Sequence, residues 1–233
     1  MTLRLASRSL LLLGLLFATV GCATGPKVGH VSGDVYTSPL DNFSVPIPLP
    51  AGYGRTIQDD VKYDEAFGDE GYVSFFNDFG RLWRIDYTEL KEHSDSVRET
   101  PEQVEGLLRK AFHEGILANI RTLRPESTSW ATGFVGSGYP RAYFGVISIP
   151  QGSTLVKANM LGLSTGERLD TERAYLLFLH EGFFYGLSTA DAEWGNAPTE
   201  QDGRPSPERI AKWQRELEGF RARIQYRNLR KAP

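Results

Sequence analysis

The chain contains one cysteine, Cys22, so no disulfide can form within it. Basic residues are nowhere dense: 26 Lys and Arg stand against 29 Asp and Glu, a formal charge of −3. No stretch of them suggests a nucleic-acid surface, and no nucleic acid is expected as a partner. No run reaches the roughly 20 apolar residues of a membrane-spanning helix. Histidine is scarce as well. His30, His93, His113 and His180 occur singly, none at metal-ligand spacing from another, so no metal set is expected. Gly136-Ser137-Gly138 lacks the flanking spacing of a nucleophile elbow. Asp78-Phe79-Gly80 stands without the other parts of a kinase. With no catalytic motif, the chain is not expected to be an enzyme or to hold a cofactor.

The N-terminus carries the most information. Arg4 and Arg8 precede Leu10 to Val20, an uncharged leucine-rich stretch. Its eleven residues would extend about 16 Å as a helix, roughly half of a bilayer core, which suits the apolar part of a signal peptide. It runs into Ala18-Thr19-Val20-Gly21-Cys22, which resembles a bacterial lipobox. Residues 1–21 are therefore expected to be a lipoprotein signal peptide, with Cys22 as the lipid acceptor and the membrane as a partner through that lipid. Two or three acyl chains, at about 0.8 kcal/mol per buried methylene, would hold the protein lastingly at a bilayer. Loss of the two arginines would take the net charge from −3 to −5. Ala23 follows the cysteine, which in a Gram-negative cell implies the outer membrane, periplasmic face. Residues 22–33, with several glycines and a proline, are expected to be a flexible tether, and 34–233 a single globular domain.

Within that domain, Asp34-Val35-Tyr36 and Phe43-Ser44-Val45 suggest an opening hairpin. Val61 and Tyr63 suggest a brief strand within an acidic, irregular stretch, and Gly71 to Asn77 and Leu82 to Leu90 read as strands. In the last of these, Trp83, Ile85 and Tyr87 alternate with Arg84, Asp86 and Thr88. Thr100-Pro101-Glu102-Gln103 is a capping box with proline at the first helical position. Val104, Leu108, Phe112, Ile116 and Ile120 then recur every fourth residue as one apolar face. Ser129 to Val135 and Tyr139 to Ile149 flank a glycine turn, and Leu155 to Leu163, Arg173 to His180 and Phe183 to Thr189 continue a meander. Arg173 to Leu179 is almost wholly apolar, as befits a central strand covered on both faces. A last helix opens at Ser206-Pro207-Glu208 and carries Ile210, Trp213, Leu217, Phe220 and Ile224 on one stripe. The fold class is α+β: a largely antiparallel sheet covered by a long central helix and a C-terminal helix.

Tyr36-Thr37-Ser38-Pro39, Phe43-Ser44-Val45-Pro46 and this order of elements together resemble the Mog1/PsbP-like α/β/α sandwich, over about Asp34 to Arg227. The resemblance implies a binding or accessory protein and not a catalyst; members include Ran-binding and photosystem-associated proteins. It transfers no site residue.

Two segments are candidates for interaction. Asp59, Asp60, Asp64, Glu65, Asp69 and Glu70 crowd twelve residues with only Lys62 as compensation. They read as a solvated acidic loop, a surface for a basic partner, or a calcium site without EF-hand spacing. Trp194, in a polar loop from Thr189 to Pro205, either anchors an interface or covers an end of the sheet. The expected function is a lipid-anchored, non-catalytic module that binds another envelope protein. The alternative is a small-molecule-binding or hydrolytic lipoprotein whose site is assembled from scattered residues.

Overall fold

The computed structural model describes residues 29–48, 62–66, 70–76, 81–90, 100–137, 141–153, 156–158, 164–192 and 204–227. Its centre is a seven-stranded sheet, antiparallel at every pairing, in the order β4-β5-β6-β12-β11-β8-β7. These strands are β4 (Lys62–Ala66), β5 (Glu70–Phe76), β6 (Leu82–Glu89), β7 (Thr128–Val135), β8 (Ala142–Ile149), β11 (Thr171–His180) and β12 (Phe183–Ala192). A smaller sheet joins β1 (His30–Ser32), β2 (Val35–Thr37), β3 (Phe43–Pro46) and β13 (Gln225–Tyr226). The expected α+β class, with helices over an antiparallel sheet, is what the chain adopts.

Period-two alternation sorts the sheet into two cores. Ala142, Phe144 and Val146 of β8 join Ala174, Leu176 and Phe178 of β11 in the larger core, with Trp83, Ile85 and Tyr87 of β6. The C-terminal helix α3 (Pro207–Arg223) closes this face with Trp213, Leu217 and Phe220, all buried. Removing each of these side chains from water contributes about 1.5–3 kcal/mol. The small sheet covers the same face, where Phe43 meets Tyr87 and Tyr185 edge-on. On the other face, Tyr143, Ile147, Tyr175 and Leu177 pack under the long helix. The central position of β11, covered from both sides, accounts for its unbroken apolar run.

The long helix comprises α1 (Pro101–Lys110), a π-helical stretch (Ala111–Leu117) and α2 (Ala118–Leu123). Thr100 and Gln103 form the reciprocal capping box that the sequence calls for. A spacing of four overshoots the α-helical turn by about 40° at each step, so a long stripe of that period drifts off its sheet. The π-helical stretch takes up the excess. The buried positions run Val104, Leu108, Phe112 and then Leu117, while Ile116 and Ile120 pack at the margin.

Two segments depart from expectation. His30, Val31 and Ser32, read as the end of the tether, form β1 and pair with β2. Leu155 to Leu163, read as one strand, yields the short β9 (Val156–Ala158), which pairs with β10 (Ser164–Arg168) in a separate two-stranded sheet. Its apolar residues suggested a sheet strand, but local pairing prevailed. The brief strand expected about Tyr63 is β4, the edge strand of the main sheet, with Asp64 opposite Ser74 and Glu65 opposite Val73, so these two acidic residues lie in a strand and not in a loop.

Candidate functional site

Among the described residues, the face of the main sheet that carries α1 is only partly roofed. The helix packs over β8 and β11, while Tyr72 of β5 and Arg84, Asp86 and Thr88 of β6 are half-exposed. Register brings polar groups together there. One row across the sheet runs Ser74, Arg84, Ser188, Tyr175, Gly145; the next runs Tyr72, Asp86, Gly186, Leu177, Tyr143. Arg84 and Asp86 project from the same face of β6 and form an ion pair at 2.6 Å, with Nε of Arg84 also donating to the Asp86 carboxylate at 2.8 Å. The guanidinium stacks on Tyr72 with Cζ 3.8 Å from the ring centroid. The side chains of Arg84 and Asp86 remain 31% and 42% exposed, so the stack is braced and still accessible.

Electrostatics match this geometry. Burial opposes the charge on Arg84, but the hydrogen bond and charge of Asp86 prevail and raise its pKa above the ordinary arginine value. Burial raises the Tyr175 hydroxyl, opposed by the charge and hydrogen bond of Arg173. Ser188 is buried and its Oγ has no hydrogen-bond partner among the described residues. His180 pairs with Phe183, five residues along β12 from Ser188, or about 16 Å of strand. It is too far to act as a base for that hydroxyl. The cluster can hold a partner's planar, aromatic or acidic group, and among the described residues no base is placed beside the Ser188 hydroxyl.

The residues singled out in the sequence do not gather here. Cys22, Asp59, Asp60, Asp69 and Trp194 lie outside the described residues, as does His93. Asp64 and Glu65 lie on edge strand β4, and Glu70 opens β5 opposite Thr88. Among the described residues, no group of three or more His, Cys, Asp or Glu is placed to hold a metal ion. His113 shares a hydrogen bond between its Nε2 and the Tyr143 hydroxyl at 2.9 Å, in the π-helical stretch. His180 stacks on Tyr226, with ring centroids 3.9 Å apart. Sequence alternation marked Arg84 and Asp86 as outward-facing. Only the strand register, which no local signal reveals, could have added Tyr72 and Ser188. Among the described residues no helix is long and apolar enough to cross a membrane.

No family model matches the sequence, and no curated protein matches it either. Solved structures do show likeness. The Ran-binding protein Mog1p of Saccharomyces cerevisiae is similar at a TM-score of 0.46 and 10% identity, over 84% of this chain and 96% of that one. A mutant of protein Mog1 gives 0.45 and 12%, over 82% and 93%. A structure from Bacteroides thetaiotaomicron gives 0.43 and 12%, over 87% of this chain; the chain spans about half of that protein's length, 52%. At such identities the likeness concerns fold alone.

Proposed function

We propose that this protein is a lipid-anchored, non-catalytic module of the cell envelope that docks another envelope protein on the partly roofed face of its large sheet. The observation that carries this reading is the Arg84–Tyr72 stack, braced by Asp86 and left half-exposed on two paired strands. Arginine and tyrosine are the side chains from which interface hot spots are most often built. A pair already fixed in the free protein loses little conformational entropy when it binds. The two charged groups of the cluster, Arg84 and Asp86, are committed to each other. Such groups suit recognition better than bond-making. The lipid on Cys22 supplies attachment, with the outer membrane and its periplasmic face as the site.

In-cell crosslinking followed by mass spectrometry tests the reading, with Cys22→Ala and Arg84→Ala compared against the unaltered protein. One or two envelope proteins captured by the unaltered form and lost in both variants support it. Capture that is unchanged by Arg84→Ala removes the sheet face from the reading. Capture of abundant bystanders alone removes the binding module.

A further inference from the structure

On the opposite face of the sheet, a groove of about 410 Å³ lies between the start of β6 and α3. Arg81, Trp83, Arg215, Glu216, Gly219 and Arg223 line it. Three guanidiniums thus face one carboxylate. Glu216 is already engaged, accepting from Arg81 at 2.8 Å and lying 3.9 Å from Lys212. Asp191 is a second carboxylate near Arg81, at 3.8 Å. Among the described residues, neither Arg215 nor Arg223 is paired with a carboxylate. The two stand eight residues apart on α3, about 12 Å along the axis, with Gly219 midway. A β-carbon on Gly219 would meet nothing within 4 Å, so the space between the arginines is unfilled. Trp83 is only 4% exposed, and its indole Nε1, a donor, has no acceptor among the described residues.

We infer that this groove binds a phosphate-type oxyanion, held by Arg215 and Arg223. Forked guanidiniums fit tetrahedral oxyanions with two parallel hydrogen bonds, and both of these line the one groove, a turn of helix to either side of Gly219. A groove of this size falls within the range of small-ligand sites. Pro48 and the Trp83 ring supply apolar wall for whatever adjoins the phosphate. The same chemistry is offered by the headgroup of an anionic phospholipid and by a soluble phosphate ester. The site is independent of the docking face, which lies on the other side of the sheet.

Calorimetric titration of the full chain carrying Cys22→Ala, with inorganic phosphate at low ionic strength, tests the site. Saturable binding is expected. Arg215→Ala and Arg223→Ala should each weaken it about tenfold, the loss of one charge-assisted hydrogen bond. Glu216→Gln should tighten it by removing the competing carboxylate. Gly219→Leu should abolish it while leaving every charge in place. Flotation with phosphatidylglycerol and phosphatidylcholine vesicles then separates the sources. Retention on phosphatidylglycerol alone, lost in Gly219→Leu, assigns a lipid headgroup; phosphate binding without retention assigns a soluble ester. Absence of saturable phosphate binding overturns the inference, and so does a Gly219→Leu variant that binds phosphate as the parent does.

Discussion

Phe112 occupies the space that a side chain at position 145 would need: a β-carbon on Gly145 would lie 2.5 Å from its Cζ. The ring is fully buried in the π-helical stretch, with Tyr143 and Tyr175 at centroid distances of 5.6 and 6.1 Å. It has little room to retreat. The contact is the closest approach of the long helix to strand β8 that the glycines record, and it fixes helix height above the sheet.

Gly145→Ala should therefore destabilise the fold by about 1–3 kcal/mol, the usual cost of overpacking a filled core. Urea unfolding measures it. Adding Phe112→Leu should recover part of that loss, so the double mutant will be more stable than the two separate changes predict.

The ion pair between Glu172 and Arg209 gives a second expectation. The carboxylate is 2% exposed and lies 2.7 Å from Nε of Arg209, whose guanidinium also covers Trp213. Arg209→Met takes the guanidinium away from a buried carboxylate and should destabilise the fold, by up to about 3–5 kcal/mol. Adding Glu172→Gln should restore much of the stability. Equal instability in single and double variants would mean that the packing of Arg209 matters and its charge does not.

How far the sequence foretold this structure depends on how local each signal was. Thr100, Pro101 and Gln103 specify the start of a helix within four residues, and they form it. Ile210, Trp213, Leu217 and Phe220 specify one helix face and meet the core, and Ile224, expected on the same stripe, reaches the core from extended backbone just past the helix end. Gly136, at φ +88°, follows the last residue of β7, while Gly138, the other glycine of the expected turn, lies outside the described residues. The strand β13 is two residues long and exists because β3 offers an open edge after α3, with partners 181 (Ser44 to Gln225) and 183 (Phe43 to Tyr226) positions apart. The π-helical stretch was implicit in the spacing of four but could equally have been a drifting α-helix. The binding face was the least legible feature. Tyr72, Arg84 and Ser188 are ordinary outward residues on three strands until register sets them side by side.

His180 gives a pH expectation. Burial lowers its pKa below the usual histidine value; nearby Glu181 opposes this and Arg221 adds to it. A histidine depressed in the folded state contributes stability above its unfolded pKa of about 6.5, and that contribution is lost as pH falls through the folded value. The unfolding midpoint should consequently fall between pH 7.5 and pH 5 by more in the parent than in His180→Phe, which keeps the stack on Tyr226. Identical pH profiles would assign the decline to carboxylates alone.

Gly219 provides an opposite-signed counterpart to Gly145. It sits inside α3 with open space around a prospective β-carbon. Gly219→Ala should raise stability by about 0.5–1 kcal/mol, because a helix-interior glycine carries excess backbone entropy in the unfolded chain. A rise in Tm checks it; a fall would mean that the glycine is held in a backbone state that alanine cannot share.

The pairing of β6 with β12 has a consequence for how the chain is made. Its partners lie between 94 (Glu89 to Phe183) and 108 (Leu82 to Ala190) positions apart. A chain emerging N-terminus first, from a ribosome or a translocation pore, must present β4, β5 and β6 long before their neighbour exists. Until Ala190 emerges, one flank of that early hairpin array has an unpaired backbone edge, the kind of template on which other chains add strands. Closure of the seam is a late, long-range event and should set the folding rate. Whatever handles the nascent protein must keep Leu82 to Glu89 from finding the wrong partner for nearly half the length of the chain.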